Sequence, residues 1–130
     1  MIVDTSVWMA IIMQEIEAEH FVDLIESRSV TISAGTLVET EIVVHRRRGE
    51  PALNELRELL RRVRAEIVSV DERQARIATD AYRRYGRGSG SPARLNYGDC
   101  FSYALAIARD EPLLFKGDDF VHTDVRVAAS

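Results

Sequence analysis

Cysteine is nearly absent. Cys100 is the only one in 130 residues, so no disulfide can form within the chain. A disulfide-stapled scaffold and a Cys-rich zinc module are both excluded. Lysine is equally scarce, with Lys116 standing alone among the arginines. No apolar run reaches the ~18 residues of a membrane span. Internal repeats and low-complexity tracts are missing. The opening MIVDTSVWMAIIM is broken by Asp4 and has no basic flank before it, so it reads as neither a secretory signal nor a transit peptide. The expectation is a soluble, cytoplasmic protein with no membrane partner.

What remains is ordinary globular material. Hydrophobic residues make up 46% and charged residues 29%, which excludes a disordered or collagen-like chain. One domain over residues 1–130 is expected, long enough to bury a core without staples. The net charge of −4 excludes a global basic field of the kind that drives nucleic-acid binding. The arginines are clustered, however, at Arg46 to Arg48 and again at Arg57, Arg61, Arg62 and Arg64. A local patch can be basic while the whole is acidic.

Short apolar runs alternate with helical patterns. Met1 to Val3 reads as a buried strand, Val30 to Ser33, Ile67 to Val70 and Leu113 to Phe115 as further strands, and Asp124 to Val127 as a fifth. Ser6 suits the N-cap of a first helix to about Ile12, and Ile16 to Ser27 a second. Ser33 or Gly35 opens a helix that Gly49 stops near Arg48. Pro51 starts the next, with Leu53, Leu56, Leu59, Leu60 and Val63 forming its apolar stripe. Asp71 caps a helix to about Tyr85, and Asn96 caps another to about Arg109. Between them, GRGSGSP (Gly86 to Pro92) has the composition of a flexible connection. The pattern specifies an α/β domain with a mostly parallel sheet covered by helices.

In such sheets the functional site lies at the carboxyl ends of the strands. Asp4 follows the first strand, and Asp118 and Asp119 follow the Leu113 to Phe115 strand. Asp99 opens a helix that is apolar almost all round, where an acid either caps the helix or faces inward as a site residue. Glu39 shares an apolar side of its helix with Ile42 and Val43, and a carboxylate so placed must be paired, protonated or metal-bound. Glu41 competes with it. The candidates are all hard oxygen donors, suited to Mg²⁺ or Mn²⁺ and not to zinc. A divalent ion held by carboxylates activates water and neutralises charge in phosphoryl transfer.

These residues resemble a known family. MIVDTSVWMAI resembles the VDTS-plus-apolar opening of PIN-domain nucleases. LNYGDCFSYALA (Leu95 to Ala106) resembles the LNxGDxxxYALA signature of the VapC toxins in that superfamily. LLFKGDDF (Leu113 to Phe120), with Thr123 and Asp124 after it, resembles the segment that closes their site. SAGTLVET (Ser33 to Thr40) resembles the helix that carries their buried Glu. The resemblance covers nearly the whole chain in the right order. It implies a three-layer α/β/α PIN fold and a Mg²⁺-dependent (or Mn²⁺-dependent) endoribonuclease. It also implies a VapB-type antitoxin as partner, a homodimer within a larger toxin–antitoxin complex, and tRNA or rRNA as substrate. On this resemblance Asp4, Glu39 and Asp99 match the first three acids and Asp119 the fourth, with Asp118 as an extra or alternative metal ligand. Ser6 or Thr5 would orient the first acid or the metal's water, and Ser6 is also a candidate RNA contact.

The remaining residues divide between structural and functional readings. Arg47 and Arg48 end a helix, where cations complement the dipole, or they contact RNA. Lys116 pairs with nearby acids or touches a phosphate. Trp8 packs in the core or at an interface, and Trp8, Met9, Ile12 and Met13 either cover the sheet or form a partner groove. Of Tyr97 and Tyr103, one belongs to the core and one near the substrate. His20, His45 and His122 show no ligand spacing, and Cys100 lies in a buried helix. Three other functions compete with this reading. A receiver-like signalling domain needs an acidic pair after the first strand and an acceptor Asp after a middle strand, and both are missing. A haloacid-dehalogenase-type phosphatase needs an Asp where Ser6 stands. A non-catalytic PIN-like module would have no need of the full set of acids.

Overall fold

The first residues of the chain form a strand at the middle of the sheet. In the computed structural model, which describes residues 1–128, β1 (Ile2–Val3) lies between β2 (Thr31–Ser33) and β4 (Leu113–Leu114), with β3 (Glu66–Val68) outside β2. All pairings among these four strands are parallel, with Ile2 beside both Thr31 and Leu113 and Ile32 beside Ile67. The helices are α1 (Thr5–Ile12), α2 (Ala18–Ser27), α3 (Ala34–Arg62), α4 (Glu72–Tyr85) and α5 (Asp99–Arg109).

Successive strand residues point to opposite faces, and both faces are covered. Val3, Ile32 and Leu114 pack with Val7, Trp8, Phe21 and Leu56, under α1 to α3. Ile2 and Leu113 pack with Leu95, Tyr103 and Leu105, under α4 and α5. This is the three-layer α/β/α arrangement that the sequence leads one to expect. From β1 the chain winds outward through β2 and β3, then crosses to β4 on the other side. The connections leaving the carboxyl ends of β1 and β4 therefore diverge, which opens a crevice at that edge.

Several boundaries differ from the sequence reading. Asp4, not Ser6, caps α1, its carboxylate accepting from the Ser6 N–H at 3.1 Å. Helix α2 begins at Ala18, and Ile16 is 96% exposed in the turn before it. β3 ends at Val68, so Val70 falls outside it. Residues 124–127 do not form a strand: only Val127 bridges to Leu113. The Gly86 to Pro92 segment is tied down. Arg87 N–H donates to the Leu95 carbonyl at 3.1 Å, Leu95 N–H to the Tyr85 carbonyl at 2.9 Å, and Ser89 Oγ to the Gly86 carbonyl at 2.6 Å.

The stop at Gly49 is where the sequence places it. Gly49 sits at φ 75°, a region that favours glycine, and Pro51 follows it in the second arm of α3. Arg57 Nε reaches Glu41 at 2.9 Å. Sixteen residues of straight helix would separate them by about 24 Å, so the two arms fold back on each other. Glu41 is thereby engaged on the surface, away from the strand ends.

Candidate active site

Asp4 is fixed from three directions. It is 3% exposed. Its Oδ2 accepts from Ser6 Oγ at 2.8 Å as well as from Ser6 N–H, and its Oδ1 accepts from Ser102 Oγ at 2.6 Å. Because the Ser102 proton goes to Asp4, Thr36 Oγ1 is the donor in its 3.0 Å contact with Ser102 Oγ. Ser6 Oγ in turn accepts from Lys116 N–H at 2.9 Å, which ties the exit of β4 to the start of α1. A buried carboxylate so surrounded by donors keeps one orientation and stays hydrogen-bonded.

Asp99 caps its helix and faces the site. Its backbone N–H donates to Asn96 Oδ1 at 2.8 Å, and its Oδ2 accepts from Asn96 N–H at 3.0 Å. The two residues cap each other across the first turn of α5. Asp99 is also 8% exposed, and burial pushes its carboxyl up to about 7. The Asn96 N–H works against that rise, while the negative charges of Asp4 and Asp119 add to it. The capping and site readings of Asp99 thus hold together.

Glu39 is half-buried, its Oε1 accepting from Thr5 Oγ1 at 2.6 Å. Thr5 Oγ1 in turn accepts from Thr40 Oγ1 at 3.0 Å, Thr40 being the residue after Glu39 on α3. The apolar side expected around Glu39 is only partly closed, since Val38 and Ile42 are exposed. Gly98 makes room for Glu39: a Cβ there would stand 1.8 Å from Glu39 Oε2. The glycine before Asp99 is therefore the seat of the second acid.

Asp118 and Asp119 are both exposed, in the turn after β4. Of the two, Asp119 is the one whose charge bears on Asp99. Asp99 thus feels the charges of both Asp4 and Asp119, and Glu39 sits against Gly98, the residue before Asp99. Among the described residues, no three acid, His or Cys side chains stand close enough to enclose an ion by themselves. The donor set is all oxygen and the charge of Asp99 is uncompensated, which fits a hard cation that keeps several waters, as Mg²⁺ does.

The four residues considered for substrate contact separate. Ser6 is turned inward to Asp4. Lys116 Nζ pairs with Glu15 and, at 3.2 Å, with Glu17, not with the site acids. Arg47 and Arg48 are exposed at the tip where α3 folds back; at helical rise Arg47 lies about 12 Å along the axis from Glu39. Tyr103 is fully buried and donates to Asp124, whereas Tyr97 is 78% exposed and meets Phe101 edge-on. Trp8 and Met9 are buried and Ile12 and Met13 half-buried, so the leading helix packs onto the core that covers the sheet. His20, His45 and His122 are exposed. Burial pushes the Cys100 thiol up to about 11, aided by Asp99, so it is no nucleophile.

Sequence reasoning missed Ser102, Thr36 and Gly98. One signal was available for Ser102. It is a small hydroxyl in an apolar helix, three places after Asp99 and so on the same face.

Comparison with known proteins follows the geometry. Residues 1–126 match the family model of the PIN domain. The chain belongs to the PIN-domain family. Within it, the chain is of the VapC type: it is 47% identical to VapC ribonuclease Mb0625 of Mycobacterium bovis, covering 98% of this chain and 97% of that one. It is 48% identical to ribonuclease VapC42 of Mycobacterium tuberculosis, with both chains covered in full. Among solved structures, the fold is similar to Mycobacterium tuberculosis VapC20, a sarcin-ricin-loop-cleaving toxin, with a TM-score of 0.79 at 18% identity over 98% of this chain and 97% of that one. It is also similar to FitAcB of Neisseria gonorrhoeae, with a TM-score of 0.71 at 22% identity over 98% and 96%. The receiver-like alternative finds no place in these matches.

Proposed function

We propose that the protein is a metal-dependent endoribonuclease, the toxin of a toxin–antitoxin pair. The observation behind this reading is the pair of buried acids, Asp4 after β1 and Asp99 at the mouth of α5, with the charges of Asp4 and Asp119 both acting on Asp99. Full-length relatives named as ribonucleases support it. Asp4 and Asp99 would hold a Mg²⁺ or Mn²⁺ ion directly or through water, with Asp119 and Glu39 completing its surroundings. When bound, such an ion supplies neutralisation of phosphodiester charge and a water of lowered pKa.

The chain's own residues do the rest. Ser102 and Ser6 hold the Asp4 carboxylate in place so that none of its orientation has to be found during reaction. Asn96 does the same for Asp99. Thr5 directs one Glu39 oxygen, leaving the other beside Gly98 to accept a proton from an attacking water. The acids repel one another and an approaching phosphate alike, so Asp4, Asp99 and Asp119 would admit a phosphodiester only with a cation compensating their charge.

An antitoxin partner belongs to the same reading, since the similar folds include toxin–antitoxin complexes from Rickettsia felis and Klebsiella pneumoniae. A homodimer within such a complex, and tRNA or rRNA as substrate, remain part of the proposal. Incubating total RNA with the protein in EDTA, Mg²⁺ or Mn²⁺ tests it. Discrete fragments in the metal lanes alone support the reading. Intact RNA in every lane, from folded protein shown to bind Mn²⁺, would leave a binding-only PIN module.

A further inference from the structure

A cleft of about 510 Å³ opens beside the acids, lined by Arg87, Gly88, Arg94 and Asp119. Both arginines are exposed, and among the described residues neither guanidinium forms an ion pair. Most of their neighbours on α4 are engaged: Arg76 with Glu72, and Arg83 and Arg84 with Asp80. The backbone that carries the two cations is held on both sides. Arg87 and Leu95 pair across the base of the loop, and Ser91 Oγ accepts from Ala93 N–H at 3.1 Å. Arg94 itself sits at φ 54°, where a side-chain-bearing residue is uncommon and persists only when its surroundings fix it.

We infer that Arg87 and Arg94 form a clamp for the phosphodiester backbone of the RNA strand next to the scissile bond. The inference rests on the nuclease reading above. A chain of net charge −4, with its acids gathered at the site, repels a polyanion unless a local cation pair attracts it. Two guanidiniums lining one cleft with Asp119 offer planar bidentate donors matched to phosphate oxygens. Arg87 and Arg94 line the same cleft as Asp119, and Arg47 and Arg48 do not line it.

The test uses the full chain carrying Asp99→Asn, so that RNA is bound and not cut. Binding of a labelled single-stranded RNA oligonucleotide of mixed sequence is titrated in Mg²⁺ at several salt concentrations. Arg87→Ala with Arg94→Ala should weaken binding about tenfold and reduce the log–log salt slope by about 1.4, the share of two phosphates on single-stranded RNA. Arg87→Lys with Arg94→Lys should recover the slope and only part of the affinity. Arg28→Ala, at the amino end of β2, should change neither. Equal affinity and slope in the double-alanine variant overturn the clamp while leaving the nuclease reading intact, provided the parent sequence still cleaves. An equal loss with Arg28→Ala overturns it as well, because the effect is then general charge. Unchanged RNA binding with lost binding of polyglutamate would assign the cleft to an acidic protein segment instead. A parent that neither cleaves nor binds RNA removes the nuclease reading and the clamp with it.

Discussion

Ser102 donates a 2.6 Å hydrogen bond to Asp4 across 98 residues of sequence, joining the helix that Asp99 opens to the strand that Asp4 ends. The contact is fully buried on the Ser102 side. Replacing Ser102 with Ala removes one of three donors to Asp4 and leaves the Thr36 hydroxyl without its acceptor. Stability should fall by about 1–2 kcal/mol in urea titration. Cleavage should fall more than binding, by about tenfold in kcat, since Asp4 loses its fixed orientation.

Gly98 is next to Asp99 but acts on Glu39. Its φ of −64° is helical, so alanine meets no backbone objection there. The added Cβ would collide with the Glu39 carboxylate. Gly98→Ala should therefore leave the melting temperature within a few degrees of the parent and reduce cleavage at least about tenfold. In a Glu39→Ala background the same change should cost nothing further, because the two act on one group.

The stability of the metal-free protein should depend on Asp99. Its folded pKa, pushed up to about 7 mainly by burial, lies above the ~3.9 of an unfolded Asp. Between those values the folded state holds a proton that the unfolded state has released. Stability from this group is complete below about pH 4 and is lost as pH rises through 7. In EDTA, the parent should lose more stability than Asp99→Asn between about pH 5 and pH 8. Mg²⁺ should restore the parent at pH 8 and not the variant. Identical pH profiles in calorimetry would contradict the burial of an uncompensated charge.

Gly49 sets the reversal of α3. At φ 75° an alanine is strained, and the Arg57–Glu41 contact depends on the reversal. Gly49→Ala should destabilise the fold by about 1–2 kcal/mol, while Arg57→Ala, which breaks a surface pair, should cost less than about 1 kcal/mol. Comparable losses from the two would argue against a backbone origin.

Much of this architecture was legible because it is local. The caps at Asp71 and Asn96, the stop at Gly49 and the apolar runs of the four strands each declare themselves within a few residues. Asp4 and Asp99 stood out as acids at a strand end and at the mouth of a buried helix. Two neighbouring cap formers blurred the start of α1: Asp4 takes the role that Ser6 also suits. Residues 124–127 have strand composition, yet only one pairs, because β4 itself is two residues long. Glu39 and Glu41 could not be separated by helical angle, since what distinguishes them is Arg57 on the returning arm. Ser102 and Gly98 serve partners far away in sequence, and no local pattern reports such contacts. The Gly86 to Pro92 segment has flexible composition, but its serines and the Arg87–Leu95 pairing hold it in place.

The central claim is that the acid cluster at the ends of β1 and β4 cuts RNA with a divalent ion. Cleavage of total tRNA and rRNA by the parent and by Asp99→Asn, purified identically and assayed with Mg²⁺ and Mn²⁺, tests it most directly. The account expects discrete fragments from the parent and none from a variant that melts no lower. Equal metal-dependent cleavage by the variant would show that the chemistry lies elsewhere on the molecule.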